Sequence, residues 1–460
     1  MNIDIEQAIE NLRRNATRYA KSERYYAGEH QLAFASEKFQ NTFGNLFREF
    51  AMNLCPAICD AVRDKLVIAQ FGIADRGLPI AKPQRRGDAE KIHKEIDDIW
   101  ERNRMAIRSG EVHKEALKNG DAYAIVWPNA AGEPVIYPNR AGSCTVVFDE
   151  ETPGRILWAA KYWRTADKRT RLNLFYPDRI EKYISARESE ITLPDASDFV
   201  AVPSSKSQVP GQKMSRPQLG TPELGLGTIV NPYGVVPVFH FANNADIGTL
   251  GQSELEQAIP IQDGLNKSVL DMLVAMEFSA YRQRWAAGIE IEYDNDGKPI
   301  APFTAGVDHL WISQDPNARF GDFAGSDLEH FLKVKDSFRI DIASVTGTPL
   351  HYLMPLADNF PSGESLRKAE TRFISKVRSR QQAFGQVWAD LMSFALRIAG
   401  HGRGIRLLTN WEDASPLSDR EMLENILLKK QIGVPTEQAL IEAGYGKEDI
   451  ERMVRVEHAG

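Results

Sequence analysis

The stretch that decides the architecture is Thr346-Gly-Thr-Pro-Leu-His-Tyr-Leu-Met-Pro-Leu-Ala-Asp-Asn-Phe-Pro-Ser-Gly-Glu364. It separates two segments of helical period. Before it, Leu328, Phe331, Leu332, Phe338, Ile342 and Val345 share one face of a helix over 326–345. After it, Ser362-Gly-Glu-Ser365 has the composition of a helix start. Leu366, Phe373, Val377, Phe384, Trp388, Leu391, Ala395 and Ile398 then keep helical period for about nine turns. A helix of that length exceeds the globular average and must lie along other helices. The interruption reads as a long structureless loop, a kind of segment that is usually functional or disordered. Its apolar residues Leu350, Tyr352, Leu353, Met354, Leu356 and Phe360 argue against plain disorder. Either another subunit or a ligand is expected to meet it.

Working back along the chain, 285–325 is a small unit that could hardly bury a core of its own. Asp294-Asn-Asp-Gly297 is a hairpin turn signal between Ile289-Glu-Ile-Glu-Tyr293 and Pro299-Ile300, and Leu310-Trp-Ile312 is a further strand. Leu255, Ile259, Leu265, Val269, Leu273, Met276 and Ala280 mark a preceding helix, with Pro260 placing its regular start near Asp263. Residues 189–227 are rich in Pro, Ser, Gly and Lys and read as a long exposed loop. From Tyr123 to Ile184 the period is two: 123–127, 135–137, 144–148, 156–163, 171–176 and 180–184 form short antiparallel strands, and 235–241 one more. Helices are expected over 4–23, 39–69 (with Pro56 near a start or kinking the segment) and 88–118 (two helices or one bent one), the last closed by Gly120. Beyond Gly400-His-Gly-Arg-Gly404, short helices over 418–430, 435–442 and 447–456 form a helical tail. Helices and an antiparallel sheet in separate runs make this an α+β chain.

The 460 residues, with hydrophobic content of 43% and charged content of 26%, are ordinary for a globular protein. The net charge of −7 provides no bulk attraction for nucleic acid or an anionic membrane. The N-terminus lacks a signal-peptide pattern, and the longest uncharged run, 224–245, contains Pro232 and Pro237, so no membrane partner is expected. Cys55, Cys59 and Cys144 suit a reducing compartment as buried free thiols. Cys55 and Cys59 would share a helix face, with only Asp60 and Asp64 nearby as further ligands, which is poor support for a metal.

No phosphate-binding loop is present; Gly444-Tyr-Gly-Lys447 lacks its spacing and hydroxyl. Glu292-x-Asp294-x-Asp296-Gly297 resembles the start of a calcium loop, but Phe303 stands where the bidentate Glu is needed. Nucleophile and metal motifs are missing, so no catalytic residue, metal or cofactor is expected, and no enzymatic activity. Charge is partitioned: 363–406 holds nine Lys/Arg against three Asp/Glu, and 410–460 six against eleven. Taken alone, such a partition is a solvated helix face.

Several stretches, in order along nearly the whole chain, resemble the portal proteins of tailed bacteriophages, particularly long-tailed phages of actinobacteria. They are Tyr25-Tyr-Ala-Gly-Glu-His30, Phe43-Gly-Asn-Leu-Phe-Arg-Glu-Phe50, Ser253-Glu-Leu-Glu256, Gln262-Asp-Gly-Leu-Asn-Lys267, Glu277-Phe-Ser-Ala-Tyr-Arg-Gln-Arg-Trp285, Thr346–Leu353, Pro361–Leu366 and Gly433-Val-Pro-Thr436. The resemblance implies a homo-oligomeric ring, usually a dodecamer, at one capsid vertex of the virion, assembled in the host cytoplasm, with double-stranded DNA passing through it in packaging and ejection. It implies a wing over 1–252, a stem helix over 253–284, a clip over 285–325, a second stem helix over 326–346, a tunnel loop over 347–363, a long wing helix over 364–400 and a helical crown over 401–460. The tunnel loop would present His351, Tyr352, Leu353, Met354, Leu356, Asp358, Asn359 and Phe360 to the channel. The clip, with Trp285, Asp294, Asp296 and Trp311, would dock the terminase large subunit and later the head-tail adaptor; the major capsid protein and scaffold are further implied partners. A conduit must not accumulate phosphate contacts, and 349–363 contains no Lys or Arg. The basic helix after it is expected to meet acidic neighbours between subunits. Deleting Leu353–Asn359 should spare ring assembly and impair packaging. The alternative is a nuclease or ATPase of a phage packaging module, which would need a metal or nucleotide site.

Overall fold

A computed structural model describes residues 3–73, 86–152, 154–188, 191–202, 227–280, 284–288, 293–298, 312, 316–322, 328–354, 363–402, 404–415, 419–443 and 450. In chain order the elements are α1 (Ile3–Ala27), α2 (Glu37–Phe50), α3 (Cys55–Arg63), β1 (Ile68–Ile73), α4 (Arg86–Arg102), α5 (Met105–Asn119), β2 (Asp121–Pro128), β3 (Pro134–Arg140), β4 (Cys144–Phe148), β5 (Ile156–Arg164), β6 (Thr170–Phe175), β7 (Arg179–Ser185), β8 (Phe199–Ala201), β9 (Thr228–Val230) and β10 (Val238–Ala242). There follow α6 (Ala258–Ala280), β11 (Arg284–Ala287), β12 (Arg319–Asp322), α7 (Glu329–Thr346), α8 (Leu350–Leu353), α9 (Gly363–Ile398), β13 (Leu407–Trp411), α10 (Asp419–Gln431) and α11 (Thr436–Glu442). The fold is α+β.

The chain divides into two compact units, one of 1–29, 53–259 and 342–460, the other of 30–52 and 260–341. This cut differs from the segment plan above: 30–52 leaves the N-terminal block and joins 260–341.

In the first unit the strands read from the sequence are present and antiparallel, but they form two sheets, not one: β10-β2-β3, and β4-β5-β6-β7-β8 with β9 also on β7. Tyr123, Ile125 and Val238 of the smaller sheet meet Val146, Ala159 and Phe175 of the larger. Ile5 and Ile9 of α1 cover Trp158, Leu172 and Leu174. The long helix α9 supplies the other core. Trp388 is fully buried between Phe241, at 4.7 Å, and Trp100, at 5.5 Å, and its indole N–H donates to His113 Nε2 at 2.8 Å.

Five sequence expectations need correction. The helix expected over 39–69 ends at Arg63, and Ile68–Ile73 is a strand pairing antiparallel with β13, inside the tail expected to be purely helical. Pro260 does not delay α6: it lies in the first turn, where the backbone N–H has no intrahelical acceptor to lose. Residues 196–201 of the expected exposed loop form a short 3-10 turn and β8, with Phe199 buried. Ile312 is not in a strand; 299–311, and most of 444–456, lie outside the described residues.

One close crossing fixes the middle of this unit. Gly120 ends α5 at φ +93°, and a Cβ on Gly251 would come within 1.9 Å of Gly120 O. Two backbones meet there with no room for a side chain.

Candidate functional site

The segment after α7 is not structureless at its start. Gly347 leaves the helix at φ +66°, and Pro349 opens the single turn α8, closed by Tyr352 N to Pro349 O at 3.0 Å and Met354 N to Leu350 O at 2.9 Å. The turn packs on α3 and is anchored to α9 through one carboxylate. Glu370 Oε1 lies 3.1 Å from His351 Nε2 and accepts from the Tyr352 hydroxyl at 3.4 Å. Tyr352 also stands 5.7 Å from the Phe373 ring. Leu353 is buried, Tyr352 is 38% exposed, and Met354 is half-buried. Thus His351, Tyr352, Leu353 and Met354 are brought together at one place. Leu356, Asp358, Asn359 and Phe360 fall outside the described residues.

Behind this turn lies a second carboxylate that sequence reasoning did not single out. Glu254 is nearly fully buried. Its Oε2 meets Lys376 Nζ at 2.6 Å, and its Oε1 accepts from Arg380 Nη2 at 3.0 Å and Asn243 Nδ2 at 3.1 Å. Lys376 also donates to Thr346 O at 2.8 Å, at the carbonyl end of α7, where a cation opposes the helix dipole. Burial pushes the Glu254 carboxyl up, but Lys376 and Arg380 outweigh it and hold it below the ordinary range. Ser253 fixes its neighbour's position by donating to Lys118 O while accepting from Leu255 N. The Ser-Glu pair of Ser253-Glu-Leu-Glu256 therefore has a structural task that its sequence signal did not reveal. This also revises the reading of the basic helix: Lys376 and Arg380 meet their acid within the chain, and Arg378 lies 3.7 Å from Asp413.

A third charged centre stands nearby in the same unit. Asp121 has no exposure; Arg18 and the Tyr19 hydroxyl reach Oδ2 at 2.7 and 2.8 Å, and His240 and Gly251 N reach Oδ1 at 2.7 and 2.8 Å. Arg18, Asp246, Glu254, Thr346, Lys376 and Arg380 are among the residues lining a cleft of about 800 Å³. Asp121 and Glu254 have both oxygens met by cations and donors, which makes them structural clamps. Among the described residues, no group of three or more His, Cys, Asp or Glu could hold a metal, and no helix is long and apolar enough to cross a membrane. All three cysteines are buried free thiols, with burial pushing Cys144 up to about 12.

In the second unit, Trp285 on β11 lies over Gly321 of β12, where a Cβ would come within 2.6 Å of its ring. Asp294 closes a turn: its Oδ1 accepts from Asp296 N at 3.0 Å and Lys298 N at 2.8 Å, with Gly297 at φ +74°. The turn reading of this acidic run holds at those residues. Trp311 lies outside the described residues.

The family profile described as phage portal protein, SPP1 Gp6-like, matches residues 75–453. The portal protein of Mycobacterium phage L5 is 29% identical over 235 residues, and that of Mycobacterium phage D29 is 28% identical over 235 residues; each match covers 48% of this chain and 48% of the relative. The chain thus spans about half the length of the curated relatives it matches. Two solved structures, described as the virion of a native gene transfer agent particle and the neck of an empty one, align over 89% of this chain and 92% of theirs, at 12% identity and a TM-score of 0.45.

Proposed function

The chain belongs to the SPP1 Gp6-like family of phage portal proteins, and from that premise we propose that it is one subunit of a ring at a single capsid vertex through which double-stranded DNA enters and leaves. The observation that carries this reading is the extent of the family match, from 75 to 453, which takes in the sheets, α6, α7, α9 and the segment between the last two. In this reading the ring is a dodecamer. The first unit holds the wing and crown, α6 and α7 are the stem, 285–325 is the clip, and 347–363 is the loop at the channel. The terminase large subunit and the head-tail adaptor dock in turn on the clip, around Trp285 and the Asp294 turn, and the capsid protein and scaffold surround the wing.

The role of the channel loop follows from its chemistry. Passing DNA must slide, and each Lys or Arg that neutralises a phosphate adds affinity and drag. Residues 349–363 carry none. The Glu370 contacts fasten α8 to the wing helix. The test deletion therefore starts at Pro355 and not at Leu353, whose removal would also open the core.

Electron microscopy of purified protein and of procapsids tests the reading. Rings in solution and density at one vertex are expected, and deletion of Pro355–Asn359 should leave rings intact while lowering DNA packaging. A monodisperse monomer at every salt concentration, with no density at a vertex, refutes it.

A further inference from the structure

The larger sheet turns one face toward the smaller sheet, which covers only part of it. Across β4, β5, β6 and β7 the paired row Val146, Ala159, Phe175 and Ile180 is buried against Tyr123, Ile125 and Val238. Side chains of one face recur at every second residue. The next row on that face is therefore Cys144, Lys161, Asn173 and Lys182, and the row after it Trp163, Arg171, Ile184 and, from β8, Val200. Of these only Cys144 is buried; Arg171 and Val200 are exposed and the rest half-buried.

Three cations thus stand on adjoining strands with no acid in their rows. Arg171 is diagonal to both lysines, a separation of about 7–8 Å between backbones. Burial and the Arg171 guanidinium both push Lys182 below the ordinary lysine range. Among the described residues, Lys161, Arg171 and Lys182 have no ion pair. Asp167, in the turn between β5 and β6, is held low first by the Thr165 hydroxyl; it pairs with Arg169 at 4.0 Å, and Arg171 acts on it more weakly. The chain leaves the sheet at Val202 and rejoins it at Gly227, both hydrogen-bonded to the Lys182 backbone. The intervening 203–226 hold Lys206, Lys213 and Arg216 against Glu223 alone, and so add more positive charge than negative.

The patch calls for an anion, and its surroundings decide which. Lys161 Nζ lies 5.4 Å from the centroid of the Trp163 ring, so that ring already has a cation on it and is no open platform for a nucleic-acid base. A phosphate backbone gains nothing from Ile184 and Val200, and the net charge of −7 opposes a polyanion at longer range. A peptide has both things the face can use: carboxylates for the three cations and the Asn173 amide, and apolar side chains for the row of Trp163, Ile184 and Val200.

We infer that this face of the larger sheet docks an acidic, partly apolar segment of a partner protein, its carboxylates meeting Lys161, Arg171 and Lys182 and its apolar side chains lying along Trp163, Ile184 and Val200. One subunit supplies every residue concerned, so the contact does not depend on ring assembly.

The probe is a fluorescein-labelled peptide of repeating Glu-Glu-Leu, titrated into the full-length protein and followed by anisotropy. Saturable binding that weakens with added salt is expected. Lys161→Glu/Lys182→Glu, and separately Arg171→Glu, should each weaken it at least tenfold, and Trp163→Ala should weaken it severalfold at every salt concentration. Lys21→Glu/Lys91→Glu, at exposed lysines of α1 and α4, changes net charge as much as the first variant and should stay within twofold of wild type. The patch variants should melt no earlier than wild type, because they remove like charges that face one another. A wild type that ignores the peptide, or an equal loss in the charge control, overturns the inference. Patch-dependent binding of oligo-dT tighter than that of the peptide also overturns it and assigns the face to phosphate. Patch variants that melt earlier overturn it as well, because the cations are then already neutralised by the chain's own acids.

Discussion

At the scale of single residues, the fold depends on carboxylates whose partners come from distant parts of the chain. Asp121 begins β2 and binds Arg18 and Tyr19 from α1, His240 from β10 and the backbone at Gly251. Replacing it with Ala leaves a cation and three donors without their acceptor. Asp121→Ala should cost about 3–5 kcal/mol, read as a lower urea midpoint at unchanged slope. His113 makes a pH prediction. Burial depresses it from 6.5 to about 3, with a smaller opposing effect from the Leu66 backbone. The unfolded chain takes a proton as pH falls through 6.5 and the folded protein does not, so this contribution is complete above 6.5 and is lost as pH falls toward 3. Between 6.5 and pH 5 the loss is about 2 kcal/mol. His113→Gln keeps an acceptor for the Trp388 indole and should flatten that slope, measured as urea midpoints at the two pH values. Neither residue was legible as important in the sequence. A lone Asp after a C-cap glycine and a lone His on a helix show nothing of partners that lie 103 and 275 positions away.

At the scale of elements, local periodicity was legible wherever an element pairs or packs with sequence neighbours. The strands from β2 to β7 and the helices α1, α5, α7 and α9 follow their apolar pattern to within a few residues. The misses share a cause. β1 and β13 are short and pair with one another across more than three hundred residues, so no turn signal joins them. Ile68 extends the helical spacing of the preceding segment, and Leu407–Trp411 sits just after glycines that read as a break. α8 was hidden because one turn of helix is stabilised by packing and by the Glu370 anchor, not by propensity. The same dependence makes Glu254 the element-scale hinge pin. It holds two cations of α9, and one of them also caps the carbonyl end of α7. Glu254→Ala strands both buried cations and should cost about 3 kcal/mol or more. Hydrogen exchange should accelerate across 346–353 more than in β5 and β6, whose core lies elsewhere.

At the scale of the whole molecule, the proposed DNA conduit would be built from a chain of net charge −7 that contains a basic helix. Two of the α9 cations are taken up by Glu254, and the segment expected at the channel has neither Lys nor Arg. Part of the positive charge of α9 is thus used to hold the subunit together. If that is its use, little remains for phosphate. Assembled protein should then bind duplex DNA weakly, with log affinity falling against log salt at a slope of magnitude below about 2, where a protein gripping several phosphates gives a far steeper one. Fluorescence anisotropy of a short duplex, titrated with assembled protein from low to physiological salt, measures that slope. A value of about 5 or more would mean that the ring grips the backbone at many points, and that α9 or residues outside the described part of the chain line the passage with charge. A shallow slope that becomes steep in Glu254→Ala would be the more telling result, because it would trace the low friction of the passage to the carboxylate that keeps Lys376 and Arg380 occupied.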